Sequence, residues 1–294
     1  MERFSRKLQK IHESYFISLP KSWIKNLHLN KNSTIEMIIN SDGSLKLAPK
    51  LEKAITEDEI VLSSTRYVAR DVVKFCLTGI ESVVIASDNP IPEDIKKDVK
   101  WFVEKLPNTE IIEETNKKIV IHNFGYKSIP TKKAIQRLLY LICDMFENLK
   151  QGAINDLEKT YENIRKFYFI LVIHIRTYLR TGSYASEDRD FTPLEAMDYR
   201  LFCEKIERIG YILRSLRLSE NIKNFFTKVE SLYNDTMNAF LAKNQIKACE
   251  IWFKRNKLTK EGTESLIDLN YEDKEKTKDL LRIIEYCKDM ADLI

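Results

Sequence analysis

Proline placement limits what this chain can fold into more than any other feature of it. Six of the seven prolines lie between Pro20 and Pro130, and beyond Thr131 only Pro193 interrupts the sequence. Proline lacks a backbone donor and clashes with the preceding helical turn, so β and irregular structure is confined to the part before Thr131 and the remainder is predicted to be helical. Apolar residues there recur at three- and four-residue steps, as in Leu138, Leu141, Ile142, Met145 and Leu149, the spacing of helices that bury one face. Six helices are predicted, over 131–151, 154–181, 193–217, 220–243, 245–258 with a frayed extension, and 274–293. A weak repeat divides them: LLYLICDMFENLKQGAI is echoed by VESLYNDTMNAFLAKNQI, and KIERIGYIL by IIEYCKDMA. Two three-helix halves, each covering the apolar face of the other, are the expected result.

The chain is 294 residues long, 44% hydrophobic, 31% charged and 10% aromatic, the balance of a soluble globular protein. None of the seven glycines (43, 79, 125, 152, 182, 210 and 262) stands close enough to another to build a dinucleotide fingerprint or a phosphate-cradling loop, which argues against the common nucleotide-dependent chemistries. Five cysteines with no CxxC pair indicate neither a disulfide framework nor a zinc ribbon, so a reduced, cytoplasmic protein is expected. The charged start MERFSRKLQKIH has no apolar run behind it and reads as no signal peptide. The longest apolar stretch, Phe167–Ile175, is too short to span a bilayer, so no membrane insertion is expected. Without a nucleophile and base at readable spacing, an enzyme is not expected.

The part before Thr131 divides again. Lys7–Ile11 and Tyr15–Leu19 read as strands, Pro20 suits the start of a short helix, and Thr34–Ile39 and Ser44–Leu47 form a hairpin across Asp42-Gly43, giving ββαββ. So small a unit has too few apolar side chains for its own core, and an obligate dimer is expected. Residues 55–128 read as a small α/β segment: strand Glu59–Ser63, helix Arg66–Leu77, strand Ser82–Ala86, helix Glu93–Leu106, strands Glu110–Glu113 and Lys118–His122. Domain limits of 1–50, 51–128 and 129–294 follow, in a multidomain α+β chain.

Charge is uneven across these parts. Residues 1–50 carry nine Lys/Arg against four Asp/Glu, although the whole chain is only +4. Arg3, Arg6, Lys7 and Lys10 cluster at the start, with Lys21 opening the short helix. Doubled by a dimer axis, they would form a cationic stripe on a two-stranded ribbon, a shape that enters the major groove of duplex DNA. The segment KLQKIHESYFISLPKSWIKNLHLNKNSTIEMIINSDGSLKLAPK resembles the AbrB/MazE-type swapped-hairpin family of DNA-binding domains. The opening KLQK, Ser18-Leu19-Pro20-Lys21, Trp23, the Leu29–Ser33 turn and DGSLKL carry the resemblance, which implies double-stranded DNA as partner and a homodimer. His12-Glu13 stands where that family usually has a glycine-containing turn.

In the helical part, Glu285 and Asp289 lie one turn apart and could serve a hard or borderline cation. KIERIG and RIIEYCKDMADL resemble the third helices of the two repeats of PhoU phosphate-uptake regulators, and KFYFILVIHIRTYL the long second helix of archaeal members fused to an AbrB-like module. That resemblance implies a cytoplasmic regulator of phosphate uptake and homeostasis. It further implies a divalent or iron-type metal at the C-terminal helix and, as partner, a phosphate ABC transporter ATPase or sensor kinase. The acidic motifs depart from the family's: Arg165 follows Glu162, Tyr211 follows Glu207 and Lys254 follows Glu250 where acids are expected, and Arg165 is a candidate to neutralise Glu207. Two alternatives use the same N-terminal module: a scaffold in which it only dimerises the chain, and an antitoxin, which would need a disordered toxin-wrapping tail.

Overall fold

A computed structural model describes residues 4–39, 43, 45–49, 59–124, 129–181 and 192–294. Arg3, Asp42 and Ser44 therefore lie outside the described residues. The chain divides into two compact units, Met1–Thr56 and Glu57–Ile294.

The first unit follows the expected ββαββ order. Strand β1 (Gln9–Ile11) pairs antiparallel with β2 (Ser14–Phe16), helix α1 (Lys21–Asn26) follows Pro20, and β3 (Ile35–Ile39) pairs antiparallel with β4 (Leu45–Pro49). His12 turns the first hairpin with φ of +55°, taking the left-handed backbone that glycine would accept at less cost. Gly43 does so in the second hairpin, at +78°.

The second unit contains two separate cores. Strands β5 (Glu59–Ser63), β6 (Ser82–Ala86), β7 (Thr109–Glu114) and β8 (Lys118–Asn123) form one sheet in the order β5-β6-β8-β7. Strands β5 and β6 are parallel and the other two pairings antiparallel, with a bulge in β7 between Ile111 and Glu113. Helices α2 (Val68–Cys76) and α3 (Glu93–Val103) bury Val72 and Val99 against Val83, Ile85, Ile119 and Ile121 of the sheet. Glycine is required at Gly79, between α2 and β6: its φ is +76°, and a Cβ there would overlap the Thr177 hydroxyl of the bundle.

The second core is the six-helix bundle: α4 (Thr131–Gln151), α5 (Asn155–Thr181), α6 (Pro193–Ser215), α7 (Glu220–Leu241), α8 (Gln245–Ser265) and α9 (Tyr271–Ala291). Helices α4–α6 pack among themselves, as do α7–α9, and the halves meet through α4 against α7 and α6 against α9. Prolines act as starts: Pro130 precedes α4, and Pro193 opens α6 inside a capping box in which Thr192 and Glu195 satisfy each other's backbone N–H. Both halves leave their first helix by the same turn. Gly152 donates to Leu149 and Ala153 to Asn148, while Lys243 donates to Phe240 and Asn244 to Ala239, with Gly152 and Lys243 both left-handed. Helix α8 continues to Ser265 instead of fraying after 258, and α9 starts at Tyr271 because Asn270 accepts from the Asp273 N–H.

The halves are joined by aromatic packing. Phe146 of α4 lies 5.3 Å from Phe226 and 5.5 Å from Tyr233, the Tyr233 hydroxyl donates to the Leu139 carbonyl at 3.0 Å, and Phe202 stacks on Phe240 at 3.4 Å. All of these lie in the bundle core or against it. Replacing Phe146 by Ala should lower unfolding free energy by about 3–5 kcal/mol through the cavity left behind. Tyr233→Phe, which removes one hydrogen bond, should cost about 1 kcal/mol. Denaturant titration measures both.

Asp273 is 2% exposed and ties α9 to the start of α7. Hydrogen bonds from Asn221, Ser219 and Asn270 and the charge of Lys276 hold its carboxyl below the usual carboxylate range. A depressed folded pKa stabilises the fold above the unfolded value, about 3.9, and that stabilisation is lost as pH falls through the folded value. The melting temperature of the wild type should therefore fall more steeply below about pH 4 than that of Asp273→Asn.

Candidate nucleic-acid interface

The β1–β2 hairpin sorts its side chains by the strand alternation. Lys10 stands opposite Tyr15 on one face, and Gln9 opposite Phe16 and Ile11 opposite Ser14 on the other. Arg6, Lys7, Lys10 and Lys21 are exposed, and none makes a salt bridge with any described residue. The Arg6 guanidinium lies over the Phe4 ring at 5.5 Å and donates to the Ser5 carbonyl, which steadies it without neutralising it. Thus Arg6, Lys7 and Lys10 fall on or beside one hairpin, whereas Lys21 opens α1.

None of the residues of 4–49 whose exposure is described is buried. Ile11, Tyr15, Phe16, Ile17, Met37, Ile39 and Leu45 are each about half exposed or more. Phe4, Leu19, Trp23, Leu45 and Leu47 line an open apolar groove of ≈ 420 Å³ between the start of the chain, α1 and β4. The groove was not legible in the sequence, because its walls come from three separated segments. The alternation of Leu45 and Leu47 was the only local sign of it.

Glu285 and Asp289 do share a face of α9, but each is turned onto a side-chain cation. Arg255 of α8 donates to both oxygens of Glu285, at 2.9 and 2.6 Å, and Lys205 of α6 reaches Asp289 at 2.8 Å. Among the described residues no three His, Cys, Asp or Glu side chains gather as a metal site would require. In the first half, the Tyr161 hydroxyl donates to Glu207 at 2.7 Å, and Arg214 lies over the Tyr161 and Tyr211 rings at 4.7 and 5.0 Å. Burial and the Glu207 bond both raise the Tyr161 pKa. Arg165 lies over Phe169 at 5.8 Å, and it is Tyr161 that bonds Glu207, where the sequence had suggested Arg165. His174 is half buried and has an interaction partner, in keeping with a packing role. Burial pushes the Cys76, Cys203 and Cys287 thiols up to about 12, so they stay protonated at neutral pH.

Comparison with known proteins falls on the first unit. Residues 8–54 match the family described as antidote-toxin recognition MazE, bacterial antitoxin. That is less than half of the chain, and it covers the hairpin, the short helix and the β3–β4 pair. No curated protein and no solved structure matches the chain. Among the described residues, no helix is long and apolar enough to cross a membrane.

A metal ion at α9 would have to displace two cations. Zinc or manganese titration should therefore leave the melting temperature of the wild type unchanged, since an ion bound to the folded state would raise it.

Proposed function

We propose that this chain is a dimeric DNA-binding regulator. The carrying observation is the first unit, where Arg6, Lys7, Lys10 and Lys21 make no salt bridge with any described residue and Ile11, Phe16, Met37 and Ile39 stay exposed. Pairing with a second copy would bury the groove around Trp23, Leu45 and Leu47 and repeat Arg6, Lys7 and Lys10 about a two-fold axis. A cationic two-stranded ribbon of this kind gains affinity by releasing counterions from phosphates and reads bases through a few edge contacts. The MazE match over 8–54 supports both dimerisation and DNA binding.

Within this reading the helical region conveys phosphate status to the first unit. Its two three-helix halves support the PhoU-like part of the proposal. The ion pairs at Glu285 and Asp289 favour a protein partner over a bound ion as the input, a phosphate transporter ATPase or sensor kinase being the class implied. The matched family is described as an antitoxin. Here the matched segment is followed by a sheet and a packed bundle, whereas wrapping a toxin calls for a segment that folds on binding, so regulation is favoured.

Fluorescence anisotropy on duplex DNA across a salt series tests the proposal. The full chain should bind as a dimer. Arg6→Ala or Lys10→Ala should each reduce the slope of log K against log salt by about 1.8, which is 0.9 for each of two lost phosphate contacts. A chain that sediments as a dimer yet retains no duplex at low salt would leave the scaffold reading.

A further inference from the structure

The α/β sheet has two edges of different character. Edge β7 carries the bulge and the charges Glu110, Glu113 and Glu114, of which Glu113 bonds Lys118 and Glu114 bonds Lys100. Bulges and charges are how proteins keep an edge from pairing with another strand. Edge β5, with the sequence EIVLS, has no bulge, and among the described residues it pairs with β6 alone. On the face away from the helices, the register sets Val61 beside Val84 and Val84 beside Val120. Val84 and Val120 are each 7% exposed, but Val61, at the end of this row, is 64% exposed. The row stops at an open edge with its last member uncovered.

We infer that β5 pairs antiparallel with the β5 of a second copy, centred on Val61, joining two four-stranded sheets into one of eight strands. The strand is complementary to itself in that register. Glu59 faces the second copy's Ser63, Ile60 faces Leu62, and Val61 faces Val61, so no like charges meet. The valine row then runs unbroken across the two-fold axis. On the helix side, Ile60 and Leu62, which already pack against the core, gain apolar neighbours. The same operation on β7, centred between Ile111 and Ile112, would set Glu110 against the second copy's Glu113, a destabilising like-charge pair. In these registers β5 meets its own copy without like charges, whereas β7 combines a like-charge pair with its bulge.

A five-residue strand pair is marginal alone. The inference therefore rests on the proposed pairing of the first unit, which ends only a few residues before β5 and would raise the local concentration of the second β5 to the millimolar range.

Cross-linking of the full chain in a Cys249→Ala background tests it, Cys249 being the exposed cysteine among the described residues. Opposed residues of an antiparallel pair have Cα atoms about 4.5–5.5 Å apart, within reach of a disulfide. Val61→Cys should form a covalent dimer under mild oxidation about tenfold faster or more than Ile112→Cys on β7, whose position is 57% exposed. Equal rates would overturn the pairing. Sedimentation of the reduced variants separates the two layers: slow cross-linking in a dimer rejects the edge pairing alone, slow cross-linking in a monomer rejects both, and fast cross-linking in a monomer rejects only the pairing of the first unit. As a second readout, Val61→Lys, at an exposed position that leaves the fold intact, should speed hydrogen exchange of the β5 amides by about tenfold or more if those amides are paired across the axis. Unchanged exchange would overturn the inference.

Discussion

The residues of the first unit whose exposure is described bury no side chain, and the functional reading of the protein depends on that constraint. Two hairpins and a six-residue helix leave Ile11, Phe16, Met37 and Ile39 in contact with water, whereas the second unit fills two cores without help. Hydrophobic burial grows with the area removed from water, so these side chains are what the proposed pairing with a second copy would cover. The same unit carries Arg6, Lys7, Lys10 and Lys21, which make no salt bridge with any described residue.

Charge follows a matching division. In the bundle, cations meet acids across helices: Lys150 reaches Glu230, Lys228 reaches Glu261, Arg255 reaches Glu285 and Lys205 reaches Asp289. Such pairs, partly exposed, contribute little stability individually, but they leave little unbalanced charge on the helical surface. In the first unit the described cations remain available to a polyanion. The modest net charge of +4 thus conceals a local excess.

Much of the fold was legible because its signals were local. Proline positions and the three-to-four spacing around Leu138–Leu149 placed five of the six bundle helices to within a few residues, and the sheet strands were read from short local runs such as Ser82–Ala86. The far part of α8 was illegible because its turns hold few apolar residues. It is tied to other helices by Glu261, which accepts from Lys228 of α7, and by Gly262, which lies against Phe225 and Leu281, contacts that no linear pattern contains. The same limit applied to the candidate sites. The basic cluster Arg6–Lys10 was visible as a run. The i, i+4 carboxylates of α9, by contrast, gave no hint that Arg255 and Lys205 would arrive from α8 and α6. Strand order, and with it the contrast between the β5 and β7 edges, is likewise a property of the assembled sheet.

The two matching turns of the bundle differ in one respect. Gly152 sits in its left-handed conformation without penalty, but Lys243 takes φ of +48° with a full side chain, a conformation disfavoured by roughly 1–2 kcal/mol. Its ammonium bonds Glu195 at 2.7 Å, on the first helix after Pro193. Glycine would relieve the backbone there and lose that bond between α6 and the end of α7. The first helices of the two halves therefore end alike in backbone but not in cost, one on a relaxed glycine and the other on a strained lysine that an ion pair ties to α6.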